Sequence, residues 1–288
     1  MNSGLLGAIA ALSWGTHDFL ARFPSRSVGP VTTVLFVTLT GLILISAWLV
    51  LSGAEVRFAW PSLWLVAATG IFYALATLAL FAALSLGPLS IVAPIAGSYP
   101  ALSVLFALTQ GARPGLIEWL AIVGVSAGVV LVSQSAGRFE SSGEIPPGKL
   151  PTILLLSFGA SLAFAIGLTA GQMAVPIYGD VATAWLGRGF GLLAILLIWL
   201  ALPKKPLPLL WLPMLTLMGG LDVTALLLIV AAGTLPDPEL ATVASSAFGA
   251  VAVVWARLLL KESIAAKQLL GIALVFGGVV VLAGSGAG

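Results

Sequence analysis

The chain has 288 residues, of which 60% are hydrophobic and 8% charged, with a net charge of +2 and no cysteine. Soluble domains carry about one-quarter charged residues, so this chain cannot furnish a polar surface and reads as an integral membrane protein. Disulfides and thiolate metal sites are excluded, and the scattered basic residues form no patch of the kind that binds nucleic acid.

A helix crossing the bilayer needs about 20 mostly apolar residues. Runs of that length fall near 3–22, 30–51, 62–86, 89–109, 116–134, 151–172, 180–202, 208–232, 239–259 and 264–284. They are continuous rather than alternating, which excludes a β-barrel. The N-terminus lacks a basic region and a small-residue cleavage site, so the first run is expected to stay on the protein.

The first span holds ALSWGTHDFLARF, with the chain's only histidine. Trp14, His17 and Asp18 are spaced i, i+3 and i+4 and share one helix face. Asp18 fits two roles, as a cavity residue or as the structural partner of Arg22 one turn on. His17 is read either as an interior hydrogen-bonding residue or as a ligand contact. In the fourth span Pro94, Gly97, Ser98 and Pro100 crowd together, and proline lacks the N–H a helix requires, so this helix is expected to kink or open.

The charged, Ser/Gly/Pro-rich stretch 135–150 separates five spans from five: a first unit over 1–134 and a second over 151–288. In the seventh span Arg188 lies mid-run, and in the eighth Asp222 does. Charges at membrane depth face the bundle interior. These two either neutralise each other between adjacent helices or touch a zwitterionic substrate or a coupling proton. The ninth span carries Ser245, Ser246, Phe248 and Gly249.

The two sets of five align in one register. Gly70 falls on Gly219, Tyr73 on Asp222, Tyr99 on Phe248 and Gly128 on Gly278. Five is odd, so the second set enters the bilayer from the opposite side. The expected fold is therefore all-α, with ten transmembrane helices in two inverted five-helix repeats around a central cavity, the usual build of a secondary transporter. Paired interruptions at Pro94, Gly97, Pro100 and Gly249 point to hinges beside the binding site, although small residues also serve close packing. Trp14, Tyr73, Tyr99, Phe164, Trp185 and Phe248 lie within spans, where they suit stacking against an apolar or aromatic solute or simply fill the core. Ser98, Ser245 and Ser246 add hydroxyls. Trp48, Trp60, Trp64, Trp119, Trp199 and Trp211 sit where interfacial belts form.

WGTHDFLAR, PLSIVAPIAGSYPALSVLFAL and VASSAFGAVAVVWARLLLKES resemble the signature segments of EamA-type proteins of the drug/metabolite transporter superfamily, and the resemblance runs in order over essentially the whole chain. Within that family it leads to exporters of aromatic amino acids. It implies a cavity lined by the first, third and fourth helices of each half. The chain departs from the pattern at Gly249, where the family often has proline, and at Arg113, where it often has glutamate.

Charge asymmetry sets the orientation. Loops on the side of the termini contain Arg57 and Arg113. The other side has Arg22, Arg26, Arg138, Lys149, Lys204, Lys205, Lys261 and Lys267, with Arg257 at a span end. Both termini are therefore expected in the periplasm of a bacterial inner membrane, whereas the resemblance would put them in the cytoplasm. An enzyme is not expected: there is no aspartate cluster for metal ions, a single histidine builds no metal site, no mid-span lysine could hold retinal, and no Walker motif is present. The expectation is a cofactor-free, metal-free, monomeric transporter that exports aromatic or hydrophobic amino acids and related metabolites, most simply by uniport. A proton-coupled drug/metabolite antiporter and a non-transporting structural subunit are the alternatives.

Overall fold

In hydrocarbon every backbone N–H and C=O must be paired within the chain, and a helix achieves this within one segment. The computed structural model of this protein obeys that constraint. It describes residues 3–53, 59–109, 115–135, 144–203, 205–232 and 247–285, with positions 56, 113, 139, 244 and 245. Among these the chain forms eleven α-helices: α1 Ser3–Ser27, α2 Pro30–Ser52, α3 Leu63–Leu86, α4 Leu89–Ala96, α5 Tyr99–Thr109, α6 Leu116–Ser135, α7 Leu150–Tyr178, α8 Asp180–Ala201, α9 Leu212–Ala232, α10 Phe248–Leu259 and α11 Ala266–Ser285. No strand occurs among the described residues.

Among the described residues six stretches are long and apolar enough to cross a membrane: those of α2, α3, α6, α7, α8 and α9. The 25-residue α1 has the length but not the uniform composition, because Trp14–Asp18 dilutes it. The fourth span is two helices, with the break at Gly97 and Ser98. Pro94 and Pro100 explain it. Each removes one N–H from the ladder and frees the carbonyl four residues earlier, and the oxygen freed by Pro94, that of Ser90, instead accepts from Gln268 Nε2 at 3.2 Å.

Local structure recurs along the chain. Gly29 (φ 92°, ψ 152°) and Gly179 (φ 79°, ψ 162°) share a conformation only glycine adopts readily, and each starts the helix that follows. A single 3₁₀ turn precedes both α3 and α9, at Trp60–Ser62 and Leu209–Trp211.

Helices from the two parts interleave. The helix α3 packs on α7 and α8, α1 on α9 and α10, α2 on α8 and α9, and α6 on α11. One large apolar core results, running from Phe19, Phe81 and Ile91 through Ile153 and Met218 to Val275. Close approach is set by glycine. A Cβ on Gly70 would lie 1.8 Å from the Gly187 carbonyl oxygen. At the α6–α11 seam, one on Gly128 would meet Gly271 O at 2.6 Å, and one on Gly278 would meet Ala121 O at 3.0 Å. Missing side chains of this kind let membrane helices touch backbone to backbone.

Candidate functional site

The middle of the bundle holds an ion pair. Arg188 NH2 on α8 donates to Asp222 Oδ2 on α9 at 2.5 Å. Trp14 Nε1 on α1 donates to the other carboxylate oxygen at 3.0 Å, so three helices converge on Asp222. The guanidinium fits because position 41 on α2 is glycine: a Cβ there would lie 2.5 Å from Arg188 NH1. A lone charge at this depth would be costly, and mutual neutralisation with hydrogen bonding is what makes the pair tolerable.

Around the pair stand aromatic rings from both parts. Trp14 meets Phe248 edge-on, with ring centres 6.3 Å apart. On the other side Phe164 of α7 lies between Tyr73 of α3 and Tyr99 of α5, at 5.2 and 5.8 Å. Tyr73 is within electrostatic range of Asp222 and Arg188. These distances suit aromatic contact, and Trp14 and Tyr73 are the rings that link the two groups to the charges.

His17 is buried one turn along from Trp14. Its Nδ1 is hydrogen-bonded to Asp18 Oδ1 at 2.9 Å, its ring lies 5.7 Å from Phe81, and it is within electrostatic range of Asp222 and Arg188. Its buried Nε2 has no partner among the described residues, a condition that buried polar atoms rarely keep without a ligand or water.

Of the two roles open to Asp18, the pairing with Arg22 does not form: Asp18 turns to His17, and Arg22 NH1 donates to Glu262 Oε1. The helical spacing made the first pair possible, but a carboxylate brought from the far end of the sequence competes better. Glu262 is buried and also caps α4, accepting from Leu89 N at 3.1 Å and Ser90 N at 3.0 Å, two of the N–H groups a helix leaves unpaired at its start. Arg257 NH1 fixes the loop by donating to the Glu262 carbonyl at 3.0 Å, and Arg26 NH2 donates to Gly87 O at 3.4 Å. These contacts tie α1, α4 and the α10–α11 loop together at one end of the bundle. Glu262 stands in LLLKES, but its role rests on partners that sequence spacing does not reveal. In the register that lays Gly70 on Gly219, its counterpart is Arg113, which is exposed.

The structure thus brings together Trp14, His17, Tyr73, Tyr99, Phe164, Asp222 and Phe248. Trp185 stands apart: its indole N–H donates to Ser46 Oγ at 2.8 Å, and it packs with Leu65, Val66 and Tyr178. Ser98 is buried in the break of the fourth span, bonded to Ile95 O at 2.7 Å and to Ser161 Oγ at 3.1 Å. Ser245 is buried near the start of α10, whereas Ser246 lies outside the described residues, as does the Pro100 side chain. Gly97 and Gly249 share one neighbour, Phe276 of α11: a Cβ would meet its ring at 3.4 Å and 2.5 Å. Sequence patterning gave no hint of Phe276, Gly41 or Gln268, whose meaning depends on helices distant in the chain. Among the described residues no cluster of His, Cys, Asp and Glu could hold a metal ion.

Comparison with known proteins matches this sequence to a family. A crystal structure with no function in its description superposes with a TM-score of 0.66 at 18% identity, covering 97% of this chain and 96% of that one, which shows a shared fold. No curated protein matches the sequence. The model of the EamA-like transporter family matches residues 2–134 and 151–284. With apolar helices enclosing a polar, aromatic-lined centre, this chain is a membrane transporter of the drug/metabolite type and belongs to the EamA-like transporter family.

Proposed function

We propose that this transporter exports aromatic or hydrophobic amino acids and related small metabolites across the bacterial inner membrane, as a monomer without cofactors. The observation that carries the reading is the convergence of two aromatic groups, Trp14–Phe248 and Tyr73–Phe164–Tyr99, on a mid-bundle ion pair. Rings bind an apolar side chain, and paired charges orient a polar head. The resemblance to the aromatic amino acid exporter YddG leads to the same substrate class.

The architecture we infer is ten transmembrane helices in two inverted five-helix repeats, 1–134 and 151–288, joined by the loop 135–150. Its support is reciprocal packing. Gly128 contacts Gly271 and Val275, while Gly278 contacts Ala121 and Val125, as a two-fold axis in the membrane plane requires. The recurrent Gly29/Gly179 junctions and 3₁₀ turns fit the same axis. Alternating access follows from rocking the halves, with the fourth and ninth spans bending beside Phe276. We place both termini in the periplasm, because Arg22, Arg26, Lys261 and Lys267 belong to the opposite end. A cysteine put at position 261 of this cysteine-free chain is then labelled from the cytoplasm alone; labelling from outside intact cells inverts the assignment.

Transport is downhill uniport in this reading, since the mid-span acid, Asp222, is already neutralised by Arg188. Proton antiport is the competing reading, favoured by the unpartnered Nε2 of His17. Reconstituted liposomes loaded with tryptophan separate the two. Uniport gives efflux at equal pH on both sides and no proton movement, whereas efflux that requires a pH gradient, or drives protons, overturns it.

A further inference from the structure

The Arg188–Asp222 contact need not be a permanent tie. Arg188 commits NH2 to Asp222 Oδ2, while its NH1 stands over Gly41, where a side chain would otherwise be. A planar fork of five N–H groups is suited to grip a carboxylate with two bonds. Asp222 is held from its other side by Trp14, so it would keep its place if Arg188 turned away. Trp14 holds Asp222 and Tyr73 lies within electrostatic range of both charges, and His17 Nε2, in the same range, has no partner among the described residues.

We propose that this ion pair is the charge-selective element of the site, exchanging with the two poles of a zwitterionic ligand so that Arg188 receives the carboxylate and Asp222 the ammonium. The inference rests on the exporter reading and adds to it the residues that set selectivity. Electroneutrality is the reason. Separating the pair leaves each charge unmatched in a low-dielectric interior, which is strongly unfavourable. A simple cation compensates Asp222 but strands Arg188, and a simple anion does the reverse. An α-amino acid carries both charges on neighbouring atoms, compensates both residues together and leaves the site as neutral as it was. Its side chain then meets the Tyr73–Phe164–Tyr99 rings. A purely structural pair would be indifferent to which pole a ligand lacks.

The test is competition against radiolabelled L-tryptophan on the full chain in lipid nanodiscs. The competitors are tryptophan itself, tryptamine, which lacks the carboxylate, and indole-3-propionate, which lacks the ammonium. In the wild type each half-ligand should compete at least about tenfold more weakly than tryptophan, the factor that about 1.4 kcal/mol confers. Arg188→Lys keeps the ion pair, and with it the fold, but loses the fork: tryptophan and indole-3-propionate should weaken together while tryptamine holds. The neutral double variant Arg188→Gln/Asp222→Asn should bind tryptophan and tryptamine within about threefold of each other. Half-ligands that match tryptophan in the wild type, or an Arg188→Lys variant that shifts all three competitors equally, overturn the inference while leaving the exporter reading intact. Absence of any tryptophan binding together with absence of tryptophan flux from liposomes overturns both.

Discussion

Replacing Glu262 with alanine should destabilise the protein more than any other single change at the tied end of the bundle. The carboxylate receives the Arg22 guanidinium and the N–H groups of Leu89 and Ser90. Its side chain is 4% exposed and that of Arg22 15%, so solvent compensates little of the loss. Removing one member of a buried pair costs about 3–5 kcal/mol, and the arginine stem can snorkel part of its charge toward the headgroups, which favours the lower half of that range. At about 2–4 °C per kcal/mol for a chain near this size, the unfolding midpoint should fall by about 6–15 °C. Glutamine, which keeps one acceptor oxygen for a helix N–H but not the charge, should cost about half as much. The assay is thermal unfolding of the purified protein in detergent, followed by loss of monodispersity. Lys267→Ala serves as control, because its contact with Gln134 is exposed and such surface contacts are worth little. A Glu262→Ala midpoint within about 2 °C of wild type, less than 1 kcal/mol on the same scale, would refute the assignment of this residue as the tie between α1, α4 and the α10–α11 loop.

Two further outcomes follow from the same geometry. Trp14→Ala removes the indole donor to Asp222 and the Phe248 contact, and Tyr99→Ala removes one wall of the Phe164 cluster. Each should lower tryptophan flux in liposomes at unchanged expression, and unchanged flux in both would remove them from the cavity lining. Gly70→Ala must push α3 off α8, since its Cβ would lie 1.8 Å from Gly187 O and 2.9 Å from Gly191 N, so it should cost at least about 3 kcal/mol. Gly124→Ala and Gly159→Ala, with nothing within 4 Å, should be neutral or gain up to about 1 kcal/mol of helix propensity. Equal melting of all three variants would mean the α3–α8 approach is not as close as described.

What the sequence disclosed depended on how local the determining physics was. The helices could be read directly, because an apolar run leaves the backbone no other way to pair in lipid. The break in the fourth span was visible in Pro94 and Pro100, which act on their own helix. Arg188 and Asp222 announced themselves because charges inside apolar runs must turn inward, and neighbouring helices gave them the opportunity to meet. Asp18 stayed ambiguous for the converse reason. Its reach to Arg22 along α1 was plain, whereas the competing Glu262 arrives from a loop hundreds of residues away. Trp185 shows the same limit, since a mid-span aromatic can line a pocket with Ser46 and Leu49 of α2 as readily as one beside the ion pair, and only packing decides which.

The span of these contacts along the chain also dictates the order in which they can form during synthesis. Arg188 and Asp222 are 34 residues apart, so α8 and α9 can settle as a hairpin with its mid-span charges paired as soon as both have emerged. The Arg22–Glu262 tie bridges 240 residues, and the cap on α4 bridges 172 and 173. Until the loop after α10 leaves the ribosome, α1 ends in an unmatched arginine and α4 begins with bare N–H groups. A nascent or truncated chain therefore carries an exposed polar fault near the membrane surface, which disappears when the last two helices arrive. Glu262 makes completeness of the chain a physical condition for closing the bundle.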